Sequence, residues 1–322
     1  MPVFQYSNPP EIYWGAGSLG QLNLLIEHHR MRRVLLMTTR SLLGKKLPVE
    51  PAVTATVGQH APMAHVDEAI ANARGAEIDG VVSFGGGSPI DAAKILALRL
   101  GGLPHVAIPT TLSVAELAAG AGFTDETGTK GGMRDARLLP SAVIYDPEVT
   151  LATPMELWLS TGIRALDHAV EGILAEGQHP FNDVMAFEAI RRLFRTLPEA
   201  KAKPNDVDVR TENQLAAWFS FTLPGASASG LSHVMGKQIG ARHEIPHGVT
   251  SCLLLPHVMR YLGRKQALPV SADDVYNLIG ELGLPQHIAA YGIGEPELQR
   301  AAEELAGKYS AQDLLQIYTA AL

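Results

Sequence analysis

Gly80-Val81-Val82-Ser83-Phe84-Gly85-Gly86-Gly87-Ser88-Pro89-Ile90-Asp91 is the stretch on which the fold turns. It opens with a short β-branched and aromatic run, the pattern of a buried parallel strand. Three glycines follow, and from Ile90 to Leu100 apolar residues recur at helical spacing. Ser88 is expected to cap that helix, Pro89 to take its first position and Asp91 to lie near its positive end. Glycines between a strand and a helix let the backbone approach an anion, and the helix N-terminus offers it unpaired amides. A pyrophosphate is such an anion. An ordinary glycine-rich connection is the competing reading, because the spacing is not that of G-x-G-x-x-G.

Outward from this turn, Arg33–Met37, Val106–Pro109 and Ala142–Asp146 read as further buried strands, and His65–Ala76 as a helix. Consecutive β-α units of this kind predict a doubly wound parallel sheet with right-handed crossovers over residues 1–150. Gly122–Pro140, rich in Gly, Thr and charge, reads as a hairpin or long loop inserted in that sheet. After Pro147 and Pro154 the strand signals stop. Helices are predicted at Thr161–Ala175, Val184–Arg195, Glu212–Leu223, Ser229–Gly240 and Val249–Leu262, giving an all-α second domain over 151–322. Proline and glycine clusters at Leu197–Asp206 and Ala289–Pro296 read as inter-helix loops.

A chain of 322 residues, 46% hydrophobic, suits two domains, and two lobes invite a cleft. The net charge of −7 and scattered Lys and Arg give no basic stripe, which argues against nucleic acid as a partner. The single Cys252 cannot form an internal disulfide. No charged-then-apolar leader is read, and no apolar run approaches the roughly 18 residues of a membrane span. A soluble cytoplasmic protein is expected.

The string Gly85-Gly86-Gly87-Ser88-x-x-Asp91-x-x-Lys94, then Ile108-Pro109-Thr110-Thr111, Lys130 and Tyr145-Asp146-Pro147, resembles the iron-containing alcohol dehydrogenase superfamily. The second half agrees, with Ala165-x-x-His168-Ala169-x-Glu171, Gly230-Leu231-Ser232-His233, Pro246-His247-Gly248 and Leu255-Pro256-His257. Arg134–Pro140 and Val57-x-x-His60-x-Pro62 look most like the maleylacetate reductase branch, which uses NADH or NADPH to reduce a carbon-carbon double bond. The resemblance implies the dehydroquinate synthase-like two-domain architecture and a dinucleotide on the glycine turn. Gly86, Gly87 and Ser88 would hold the pyrophosphate, Asp91 would belong to the same cofactor-binding turn, Thr110, Thr111 and Leu112 would line the adenine side, and Lys130 would lie near the nicotinamide ribose. Where NAD-selective relatives place a carboxylate after the first strand, this chain has Thr38-Thr39-Arg40, so that Thr39 and Arg40 leave NADPH tolerated. Relatives commonly form homodimers.

Metal-dependent members bind iron or zinc through one Asp and three His. The three His match His168, His233 and His247, while the Asp position is Arg164. A guanidinium has no lone pair to give. About 4 Å from a divalent ion it opposes binding by about 8 kcal/mol at an effective dielectric of about 20. No catalytic iron is therefore expected, with a residual zinc site as the alternative. Maleylacetate reductases also lack that Asp but carry a neutral residue there, so Arg164 departs even from them. Lys237 is a second departure, one helical turn beyond His233, and a shortened connection after Leu262 is a third. Two added cations would suit a small carboxylate-bearing substrate; the alternative is that Arg164 pairs with Asp167 or Glu171 and Lys237 points outward. In a metal-free reaction His233, His247, Lys237, Arg164 and His168 are the candidate catalytic groups, with His247 or His243 as proton donor. For His243 and His257 a structural role is favoured. A lyase or cyclase relative, or a member that has lost redox chemistry, is the competing functional class.

Overall fold

The computed structural model describes residues 8–176, 179–221, 230–263 and 268–322. The chain divides into two compact units, one of residues 8–153 with Asn205–Leu215 and one of Pro154–Pro204 with Ala216–Leu322. The first runs β1 (Glu11–Trp14), α1 (Leu22–His28), β2 (Val34–Thr38), β3 (Val53–Thr56), α2 (Met63–Gly75), β4 (Gly80–Gly85), α3 (Gly87–Arg99), β5 (His105–Pro109), β6 (Gly120–Thr124), β7 (Lys130–Arg134), β8 (Ala142–Tyr145) and α4 (Pro147–Thr150). Six strands form one parallel sheet in the order β1-β8-β5-β4-β2-β3. β6 and β7 pair antiparallel as a separate hairpin, so the Gly122–Pro140 segment is a hairpin that starts two residues earlier than expected.

The sheet is covered on both faces, which is why β4 is buried along its whole length. Val81 packs with Ile70 of α2 and Ile95 and Leu96 of α3, whereas Val82 and Phe84 pack with Leu22 and Leu25 of α1. That alternation is the two-residue period of a strand. β1 and β3 were not expected from the sequence. Both are edge strands and only partly buried, so neither carries the unbroken apolar run that marks the central ones.

The second unit is helical among its described residues: α5 (Met155–Leu174), α6 (Pro180–Ala202), α7 (Val207–Ser220, which begins in the first unit), α8 (Leu231–Arg242), α9 (His247–Leu262), α10 (Ala272–Glu281), α11 (Glu295–Leu305) and α12 (Ala311–Ala320). The loop expected at Leu197–Asp206 is corrected, because α6 continues through Pro198 to Ala202. Leu193, Leu197 and Ala200 are fully buried at helical spacing, and that packing carries the helix past a residue that lacks an amide hydrogen. Ala289–Pro296 holds a 3-10 turn ending at Tyr291 and the start of α11. The expected helix ends at Leu223 and Ser229, and residues 264–267 of the shortened connection, lie outside the described residues. No described helix is long and apolar enough to cross a membrane.

One buried group sets a measurable pH signature. His105 in β5 is 3% exposed, with its Nε2 2.7 Å from Ser83 Oγ. Burial, helped by the charge of Lys94, pulls it down to about 3. The unfolded chain takes up this proton below about pH 6.5 while the folded protein does not, so the contribution of His105 to stability falls as pH drops from there towards about 3. In a ring-proton NMR titration its signals should stay flat from about pH 8 to about pH 5; a midpoint at the ordinary imidazole value of about 6.5 would show that water reaches the ring.

Candidate functional site

In the α/β unit the candidate residues gather at the carboxyl ends of β4, β2 and β5. The connection from β2 leads to β3 on one side, and the chain then returns to place β4 on the other, so the ends of β2 and β4 flank a point where the strand order reverses. Open parallel sheets bind ligands at such points. Thr38 Oγ1 donates to Phe84 O at 2.8 Å, joining the two strand ends. Gly85 has a φ of +147°, and a Cβ there would lie 2.6 Å from Pro89 Cγ. Only glycine turns the chain this sharply into α3.

The helix starts two residues earlier than the sequence suggests. Gly86 is the cap and Gly87 the first helical residue, so Ser88 is not the cap. Its Oγ instead accepts from the His60 amide at 2.9 Å. Asp91 lies beyond the first turn, where its carboxylate accepts from the Gly122 amide at 3.0 Å and sits 3.8 Å from Lys94 Nζ. Burial pushes this carboxyl up to about 6 against the pull of Lys94. Gly86, Gly87 and Ser88 remain half-buried, with first-turn amides that have no acceptor inside the helix. The turn thus fits an anion.

Thr110 donates its amide to Gly85 O at 2.9 Å, and Thr111 packs so closely that a Cβ on Gly86 would lie 3.1 Å from its Cγ2. Leu112 is 1% exposed. Lys94, missed as more than a motif residue, fixes this segment to α3. Its buried ammonium donates to the carbonyls of Ala115, Ala118 and Gly120, the last two at 2.8 and 2.9 Å, which uses its three donors. Thr39 Oγ1 lies 3.0 Å from Ser41 Oγ, and Arg40 is exposed at the start of a 3-10 turn. Lys130 opens β7, 3.4 Å from His60 Nε2.

In the helical unit, Arg164, Asp167, His168 and Glu171 fall at i, i+3, i+4 and i+7 on α5 and are all buried. Arg164 Nη1 donates to Asp167 Oδ2 at 3.1 Å and to Ser251 Oγ at 3.0 Å. Ser251 and Ser232 hydroxyls donate to the same carboxylate oxygen at 2.6 and 3.0 Å. Arg164 therefore pairs with Asp167, one of the two partners weighed for it. Its second nitrogen, Nη2, reaches His233 Nε2 at 3.5 Å.

Glu171 serves α8. Its carboxylate accepts from the Gly230 amide at 3.1 Å and the His233 amide at 2.9 Å, giving that helix the cap its own sequence lacks. A Cβ on Gly230 would lie 2.4 Å from the same carboxyl. The three matched histidines form a row: His168 and His233 have centroids 6.0 Å apart, and His233 and His247 stack at 6.3 Å and 15°. Phe221 meets His168 edge-on at 5.0 Å. Burial and the Arg164 charge hold His168 well below the ordinary imidazole range. The Nδ1 atoms of His168 and His233 are buried without a hydrogen-bond partner among the described residues.

Ligand-type atoms of His168, Glu171 and His233 lie within 4.8 Å of one another, the spacing of a metal cluster. The guanidinium on His233 Nε2 occupies the lone pair a metal would take, and both Glu171 oxygens already accept amides. These residues do not fit a cation. Lys237 is exposed on α8, in keeping with the outward-pointing alternative weighed for it. His243 is the C-cap residue of α8. His257 meets Tyr276 edge-on at 6.2 Å, in keeping with a structural role.

Comparison with known proteins gives the following. The family described as iron-containing alcohol dehydrogenase matches residues 9–147, and its C-terminal counterpart, Fe-containing alcohol dehydrogenase family, matches 158–271. Maleylacetate reductase of Pseudomonas sp. (strain P51) is 33% identical over 312 residues, 91% of this chain and 88% of that protein. Maleylacetate reductase of Rhizobium sp. (strain MTP-10005) is 31% identical over 321 residues, covering 94% and 91%. The crystal structure of maleylacetate reductase from Agrobacterium tumefaciens superposes with a TM-score of 0.88 at 27% identity, covering 100% of this chain and 99% of that one.

Proposed function

The chain belongs to the iron-containing alcohol dehydrogenase family and is an oxidoreductase, and from that premise we propose that it is an NADH- or NADPH-dependent reductase of a small carboxylate-bearing enoate or ketone, working without a resident metal. The observation that carries the cofactor is the glycine turn of α3 at the reversal of strand order, with Gly86, Gly87 and Ser88 half-buried around free first-turn amides. Thr110, Thr111 and Leu112 are assigned to the adenine side and Lys130 to the nicotinamide ribose. Thr39 and Arg40 present no carboxylate to a 2′-phosphate, which favours tolerance of NADPH.

A bound reduced nicotinamide supplies the hydride. This chain's part is to stabilise the negative charge that develops on the substrate and to return a proton. Arg164 provides a fixed positive charge behind His233, where metal-dependent relatives hold their ion. Because Arg can only donate, the contact keeps His233 Nε2 as acceptor and leaves Nδ1 to carry the hydrogen. His247, at the end of the row, is the proton donor, so that one hydride and one proton add across the double bond. Arg164, already paired with Asp167, acts through His233 rather than as a direct carboxylate clamp.

The test is direct. Reduced dinucleotide should bind the purified protein, its absorbance should fall when maleylacetate or a related 2-enoate is added, and a chelator should leave the rate unchanged. A protein that binds neither NADH nor NADPH, or that needs added zinc or iron, would sink the proposal. Gly86→Ala should raise the dinucleotide Kd by roughly tenfold, because the new methyl must push against Thr111.

A further inference from the structure

His60 lies in the connection between β3 and α2, and three parts of the α/β unit meet on it. Its amide donates to Ser88 Oγ at 2.9 Å, its carbonyl accepts from Thr124 Oγ1 at 3.3 Å, and its Nε2 is 3.4 Å from Lys130 Nζ. The backbone here is unusual. His60 has a φ of +62° and Ala61 of +46°, two consecutive side-chain-bearing residues in the left-handed region. Such conformations cost about 1–2 kcal/mol each and persist where the surroundings over-determine them. Here the surroundings are the β6–β7 hairpin, since Thr124 donates its amide to Ala61 O at 3.4 Å and bridges to Pro62.

Core packing does not call for a histidine at this place. Val57 and Ala61 are the buried residues of the connection, whereas His60 is half-exposed. Hydrogen-bonding chemistry does call for one. An ammonium can only donate, so the Lys130 contact needs an unprotonated Nε2. Burial and the Lys130 charge pull the ring down to about 4, which keeps it neutral near pH 7.

We propose that His60 is a positioning residue of the dinucleotide site: its amide fixes the Ser88 hydroxyl at the phosphate turn, and its ring holds the Lys130 ammonium beside that turn. The proposal rests on reading the turn as the dinucleotide site. It assigns the strained connection a purpose, which is to set one hydroxyl and one cation from different elements before the cofactor arrives.

Titration of NADH and NADPH into the wild-type protein comes first; if neither binds, the dinucleotide reading itself fails and His60 falls with it. Given wild-type binding, His60→Gly keeps the left-handed backbone and the amide to Ser88 but removes the ring. It should raise the dinucleotide Kd by roughly tenfold with an unchanged melting transition. His60→Asn also tolerates this backbone and is too short to reach Lys130, so it should show the same loss should the glycine variant fold poorly. His60→Gln, whose side-chain oxygen can replace Nε2 as acceptor, should return to within about threefold of wild type. Adding His60→Gly to Lys130→Met should weaken binding no further than Lys130→Met alone. Wild-type affinity in both His60→Gly and His60→Asn, or additive losses in the double variant, would overturn the proposal.

Discussion

Arg164→Ala is expected to destabilise the protein by about 3–5 kcal/mol, read as a lower urea midpoint at unchanged slope. Asp167 is fully buried, and without the guanidinium its charge rests on two serine hydroxyls alone. Removing one partner of a buried pair leaves the other uncompensated, which is worse than removing both. Arg164→Met combined with Asp167→Leu should therefore recover much of the loss. Arg164→Asp gives the sharper result. It creates a second buried carboxylate one turn from Asp167 and beside His168 and His233, which with His247 makes up the one Asp and three His that the resemblance gives to metal-dependent relatives. This variant should be unstable in chelator and gain about 4 kcal/mol when zinc is present at roughly a thousand times its Kd. Zinc should leave the wild type unmoved. An Arg164→Ala variant as stable as wild type, or an Arg164→Asp variant indifferent to zinc, would show that the guanidinium is not the resident cation of this site.

The parts of the structure legible in the sequence are those whose signal is local. β2, β4, β5 and β8 are central strands with apolar runs, and each was readable. The edge strands β1 and β3 were not, because an edge strand buries one face or less. The three histidines were identified through the family resemblance of the motifs that hold them, yet the groups that orient them lie far away in the chain. Ser251 meets Arg164 across 87 residues, and the His233 amide meets Glu171 across 62. Nothing local marks such pairs. Ser88 illustrates a different failure. A serine ahead of an apolar helix reads as a cap, but Gly86, two residues before it, takes the cap position and frees the hydroxyl for His60. Lys237 was singled out by its position one turn beyond His233 in the family resemblance, and a lysine at i+4 on a helix with one buried face can lie on either border of that face.

His247→Ala should lower kcat on maleylacetate by about 10²–10³, within the usual range for removal of a general acid, with a much smaller change in KM. The geometry behind this expectation begins at Gly248. A Cβ there would lie 2.7 Å from Ser160 C and 3.0 Å from Thr161 N, so the first turn of α9 lies directly on the backbone of α5. That contact fixes His247, the first residue of α9, against the row formed by His168 of α5 and His233 of α8. Its ring is half-buried, so the alanine variant should fold with a melting temperature close to wild type, which separates this effect from that of Arg164. Added imidazole should restore part of the rate, because a free proton donor can enter the space the ring vacates. His243→Ala is the control: as the C-cap residue of α8 it should alter kcat by less than about threefold. If His247→Ala keeps kcat within the same margin while His243→Ala loses it, the proton comes from the end of α8, and the stacked row would serve to stabilise charge rather than to donate a proton.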